Sequence, residues 1–233
     1  MHNLQKLGGV AALVNGIAYI IGFGMVFTLL APIIDAEPEQ YLAFLVQNQT
    51  LLYIWHLIIY IVAGVFMVPL VLAIHERLRE KAPALSQNAM AIGLIWAGLV
   101  IASGMLFLKD IVVIAELYKS DPTHASTIWP ALTTVESALG GGIELPGGLW
   151  ALLVSWAALR TGALPKALNV LGLLIGLAGV LMLVPSFADA GGAVFGLGFI
   201  LWFLWAGIVM VRNRTATVTT QFSHHTPLPQ SVN

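Results

Sequence analysis

The chain has 233 residues, 59% of them hydrophobic and only 9% charged, with a mean hydropathy of +0.91. A water-soluble domain carries about 25% charged residues, so this composition excludes a protein with a fully aqueous surface. The absence of cysteine excludes disulfides, thiolate catalysis, iron–sulfur clusters and cysteine zinc sites, and a net charge of −1 gives no basis for nucleic-acid binding.

Long apolar runs predict an all-α, polytopic bundle of membrane helices. A hydrocarbon core of ~30 Å needs about 20 helical residues at ~1.5 Å each. Six stretches qualify in chain order: 8–33, 51–74, 89–108, about 140–159, 167–185 and 192–211. The first continues too far beyond Lys6 to be a signal-peptide core, so it reads as a retained span. After it, Tyr41, Phe44 and Leu45 recur at the spacing of a short surface helix. The fourth span is the weakest, because "ESALGGGIELPGG" interrupts it with glycines and Pro146. The expected organisation is a six-helix membrane domain over 1–212 and a polar tail over 213–233, rich in Thr, Ser and Pro and expected to be disordered.

Lys and Arg concentrate on cytoplasmic loops. Lys6, Arg77, Arg79, Lys81, Arg160, Lys166, Arg212 and Arg214 fall on one set of alternate connections. The other set carries Asp35, Glu37, Glu39, Asp121 and Asp189, with Lys119 as its basic residue. Both termini are therefore predicted to be cytoplasmic. Gly172/Gly176 and Gly192/Gly196 form GxxxG pairs, which let helix backbones approach closely. They serve either packing within the bundle or a homo-oligomer.

The stretch "ALLVSWAALRTGALPKALNVLGLLIGLAGVLMLVP" combines an apolar span, a basic turn (Arg160, Gly162, Leu164, Pro165, Lys166) and a Gly/Leu-rich span. It resembles an uncharacterised family of bacterial integral membrane proteins, domain of unknown function 4386, and "LQKLGGVAALVNGIAYIIGF" resembles that family's opening helix. The resemblance implies a multi-pass protein of the bacterial cytoplasmic (inner) membrane. It transfers no catalytic residue.

Ionisable residues within spans are costly, roughly 2.5–3.5 kcal/mol at a helix centre, and mark candidate sites. His56 lies about 8 Å below the outer boundary of its span and Glu144 about 6 Å below that of the fourth. Lys109 and Asp110 close the third span on the same side, and Glu136 stands near the rim. His56, Tyr60, Lys109, Asp110, Glu136 and Glu144 are thus predicted to share one polar layer in the outer leaflet. Gly98, Ala102, Met105, Lys109 and Glu116 share a helical stripe whose small residues suggest a packed face, so Lys109 is expected to point inward. His56 with scattered carboxylates lacks the spacing of a metal site, and no cofactor motif is present, so no metal or cofactor is expected.

Half of the fourth span must come from "LGGGIELPGG", since the apolar run 149–159 spans only about 16 Å as helix. Irregular backbone at membrane depth is tolerated only against protein or a water-filled cavity, so this segment should face the bundle. Three functions remain open on these residues. One is a binding or transport protein with a shallow polar pocket open to the extracytoplasmic side, taking a small or amphipathic ligand. Another is a membrane-embedded enzyme working on a lipid or isoprenoid by acid/base chemistry, with Asp110 or Glu144 as acid. The third is an accessory subunit whose polar layer is an internal ion-pair network.

Overall fold

The computed structural model describes residues 2–141 and 144–212, and the tail at 213–233 lies outside the described residues. The described chain is all-α: α1 (His2–Phe27), α2 (Pro38–Gln47), α3 (Gln49–His56), α4 (Ala63–Leu78), α5 (Pro83–Ser120), α6 (Pro122–Glu136), α7 (Leu145–Thr161), α8 (Lys166–Leu181) and α9 (Ala188–Arg212). Two π-helical segments, Leu57–Val62 and Ser137–Gly141, interrupt the α-helices. Four stretches are long and apolar enough to cross a membrane: Asn3–Phe27, Gln49–Leu78, Pro83–Ser120 and Pro185–Arg212. Helix α8 is a shorter apolar helix.

Six helices close into a ring in chain order. Helix α1 packs against α4, α4 against α5, α5 against α7, α7 against α8, α8 against α9, and α9 returns to α1. The interior is aromatic, with Phe199 stacked on Phe203 at 4.7 Å and Trp150 edge-on to Trp202 at 5.3 Å. Outward faces carry Ile17, Val65, Ile95, Met105, Leu174 and Leu201, all exposed. That is the inverse of a soluble protein and fits a lipid environment.

The tightest approach is between α7 and α8. A Cβ on Gly148 would lie 2.8 Å from the Gly176 carbonyl oxygen and 2.9 Å from the Val180 nitrogen. The GxxxG glycines are likewise occupied within this chain: Gly172 faces the Ser155 hydroxyl, Gly176 faces Leu152 and Gly148, and Gly196 receives the Phe23 ring. Gly192 meets the Met182 methyl. Among the described residues these pairs pack within the bundle.

At one end of the ring, Arg77 donates from Nε to the Ala163 carbonyl at 3.0 Å and from a terminal nitrogen to Gln5 Oε1 at 3.2 Å. Gln5 in turn donates to the Ala73 carbonyl at 2.7 Å. One guanidinium thereby joins α1, α4 and the α7–α8 turn. That turn ends α7 at Gly162, whose φ of +68° is left-handed. Its Cβ would meet no atom within 4 Å, so Gly162→Ala carries a backbone penalty alone. It should lower stability by about 1–2 kcal/mol, read by thermal unfolding of the solubilised protein.

At the other end the chain differs from expectation. Helix α5 does not stop near Leu108 but continues to Ser120, a length of about 57 Å over its 38 residues. The chain then reverses at Asp121, whose carboxylate accepts the His124 backbone N–H at 3.0 Å, and α6 runs back along α5. Helices α2 and α3 cover this hairpin through a second core of Leu42, Leu45, Leu52, Ile111, Ile114 and Trp129. The expected surface helix is α2; Tyr41 stacks on Trp129 at 5.5 Å while Leu42 and Leu45 are fully buried.

Candidate functional site

Helix α5 is the wall against which both π segments pack. A π turn accommodates one extra residue and re-aims the side chains after it. In Leu57–Val62 the β-branched run Ile58, Ile59, Ile61 and Val62 crowds a regular helix. The segment presses close enough to α5 that a Cβ on Gly104 would lie 2.4 Å from Tyr60 Cβ. Trp55, Ile59, Tyr60, Ala63, Gly64 and Met67 consequently share one side and face the inside of the ring.

They border a cavity of about 370 Å³. Helix α1 contributes Asn15, Tyr19 and Phe23, α5 contributes Trp96 and Val100, and α9 contributes Gly196 and Phe203. The cavity runs from mid-helix residues Asn15, Met67 and Phe203 to the ring's capped end at Val26, Met182 and Gly192. Its wall is mainly apolar and aromatic. Glu144, just before α7, supplies its carboxylate, one oxygen of which accepts the Trp96 indole N–H at 3.2 Å. Asn15 adds an amide whose nitrogen donates to the Ala11 carbonyl at 3.0 Å.

The predicted polar layer is divided. Glu144 and Tyr60 border the cavity. His56 is buried one step behind, stacked on Tyr60 at 5.9 Å and against Phe107 at 4.7 Å. Its Nδ1–H donates to the Leu52 carbonyl at 2.7 Å, which leaves Nε2 as an acceptor. Glu136 ends α6, fully buried, and its main-chain carbonyl accepts the Ser103 hydroxyl at 2.8 Å. Asp110 neighbours Glu136 rather than the cavity. Lys109 is exposed, and so are Gly98, Met105 and Glu116. The stripe read as a packed face therefore looks outward, and the buried face of α5 is Gly93, Trp96, Ala97, Ser103 and Gly104. Burial, and secondarily the Glu136 carboxylate, pushes the Tyr41 phenol up to about 12.

The "ESALGGGIELPGG" stretch also resolves differently. The interruption is the π segment Ser137–Gly141, and residues 142–143 lie outside the described residues. Helix α7 begins at Leu145 with Pro146 in its first turn, where the missing N–H has no helical partner to lose. Gly147 lies against the Trp96 and Phe195 rings, and Gly148 against α8. Sequence reasoning missed Trp96 and Tyr19. Both stand in the middle of apolar runs, away from the interfacial belts where Trp and Tyr concentrate, and that displacement was the available signal.

Among the described residues no three His, Asp or Glu side chains converge to hold a metal ion. No curated protein and no solved structure matches the chain. A family model does match, over residues 7–210, and the chain belongs to that family, described as Domain of unknown function (DUF4386).

Proposed function

We propose that the chain is a six-span integral membrane protein with both termini cytoplasmic, which binds or transports a small amphipathic cation through a pocket open to the extracytoplasmic side. The six spans are α1, the α3–α4 unit, α5, α7, α8 and α9. Their closure into one ring supports counting α7 and α8, although at 17 and 16 residues they are short for a 30 Å core. The orientation rests on the basic residues gathered at the Arg77 end.

The observation that carries the function is the Glu144 carboxylate beside Trp96 in a cavity whose wall is mainly apolar and aromatic. A carboxylate in such a place needs a proton or a cationic guest. The faces of Tyr19, Trp55, Tyr60 and Trp96 suit an alkylammonium head, each cation–π contact contributing about 0.5–2 kcal/mol, while Phe23, Met67 and Phe203 suit a short apolar tail.

The test is titration of the protein in lipid nanodiscs with hexyltrimethylammonium, read by quenching of tryptophan fluorescence from Trp55 and Trp96. Saturable quenching by the ammonium and none by hexanol is expected. Equal responses to the two would overturn the charge-based reading.

A further inference from the structure

Residues 145–188 contain neither Asp nor Glu, and their charged residues are Arg160 at the end of α7 and Lys166 at the start of α8. Both side chains are exposed. The acids at this end of the ring, Glu76 and Glu80, stand at the end of α4 or just past it, where Glu76 pairs with Arg79 at 2.9 Å. Among the described residues Arg160 and Lys166 therefore make no ion pair.

The Arg160 guanidinium lies over the Trp156 ring, 5.5 Å from its centroid, and Trp156 is 53% exposed on the outer face of α7. An outward indole one helical turn inside a cation suits the headgroup level of a bilayer. Stacking holds the guanidinium plane and leaves its N–H edge free for a phosphate. On α8, Lys166, Val170, Leu174 and Leu177 fall on one helical face, and all four are exposed. From Lys166 to Leu177 the stripe runs about 16 Å, close to the depth of one leaflet of a ~30 Å core. A free anion would use the two cations alone. Cations joined to an outward apolar stripe of that length fit a headgroup joined to an acyl chain. Two cations without a counter-charge also favour a lipid of net negative charge over a zwitterionic one, whose own cation they repel.

We infer that Arg160 and Lys166 form a binding site for the phosphate of one anionic phospholipid, whose chain lies along Val170, Leu174 and Leu177. The site is on the outside of the ring, apart from the cavity, so it stands whether or not the cavity takes a cation.

The experiment is native mass spectrometry of the full chain released from detergent micelles, titrated with phosphatidylglycerol or with phosphatidylcholine of the same acyl chains. The first phosphatidylglycerol should bind at least tenfold more tightly than the first phosphatidylcholine. Arg160→Gln and Lys166→Gln should each weaken it about fivefold and leave phosphatidylcholine unchanged. The two variants are made separately, so that one failing to fold leaves the other to decide. Lys6→Gln is the control, since α1 lies across the ring from α7, and it should change binding less than twofold. Equal binding of the two lipids, or a loss for Lys6→Gln as large as for Arg160→Gln, overturns the inference.

Discussion

Glu144→Gln should weaken binding of hexyltrimethylammonium about thirtyfold, with the protein otherwise intact. Removing the charged partner of a desolvated ion costs about 2 kcal/mol at the lower end of measured cases, and 1.4 kcal/mol is a tenfold change in Kd. The lower end applies because the cavity's aromatic faces continue to hold the cation. Gln keeps an oxygen to accept the Trp96 N–H that now lies at 3.2 Å, so the start of α7 stays anchored. Trp96→Phe separates the parts: the charge remains, one hydrogen bond to it is lost, and a change of about tenfold is expected, near 1.5 kcal/mol, the lower end for a bond to a charged group. The same titration checks both. Uptake of the ammonium into proteoliposomes should fall with Glu144→Gln in parallel. Affinity unchanged by Glu144→Gln would remove the carboxylate from the site.

Gly148→Ala should be strongly destabilising, lowering stability by about 3 kcal/mol, at the top of the overpacking range. The added Cβ meets α8 backbone on three sides: the Gly176 oxygen at 2.8 Å, the Val180 nitrogen at 2.9 Å and the Gly179 carbonyl carbon at 3.0 Å. No side chain is there to rotate away, so the two helices must separate. Where lipid supplies no hydrophobic force between helices, close backbone contact is the main attraction, and separation forfeits it. Gly98→Ala is the control. Gly98 lies on the outward face of α5 with no atom of the described residues within 4 Å of its Cβ position, and Ala there gains up to about 1 kcal/mol of helix propensity. Thermal unfolding of detergent-solubilised protein should order them Gly98→Ala, wild type, Gly148→Ala from most to least stable. Equal stability of the two variants would contradict the α7–α8 crossing.

Apolar length and amphipathic spacing were sufficient to find the ring helices and α2, because hydropathy and period report directly on burial and lipid exposure. They did not find the cap. Ile111, Val112, Val113 and Ile114 continue α5 without a break, and Asp121-Pro122 is a cap followed by a first-turn proline. A span counted by membrane thickness ends before them. Facing was harder still. Small residues lie on both sides of α5, with Ala91 and Gly98 outward and Gly93, Ala97 and Gly104 inward. A stripe of small residues therefore did not identify the packed side, and Lys109 was turned the wrong way. The encounter of Glu144 with Trp96 was not legible, since it joins residues 48 positions apart and neither carries a local pattern that points to the other. Glycine and proline in "GIELPGG" suggested a damaged helix. In the structure Pro146 sits in the first turn of α7, and Gly147 and Gly148 admit its neighbours.

The claim that most needs testing is that the cavity holding Glu144 is reached from the extracytoplasmic side and takes a cation. The natural chain contains no cysteine, so Gly192→Cys gives a single thiol at the cavity's capped end. Among the described residues only the Met182 methyl lies near its Cβ position, at 3.4 Å. Intact cells expressing this variant would be treated with a membrane-impermeant maleimide, with and without hexyltrimethylammonium. Labelling from outside is expected, slowed by the ammonium, with no slowing when Glu144→Gln is added. Labelling only after permeabilisation, or labelling indifferent to the ammonium, would contradict the claim.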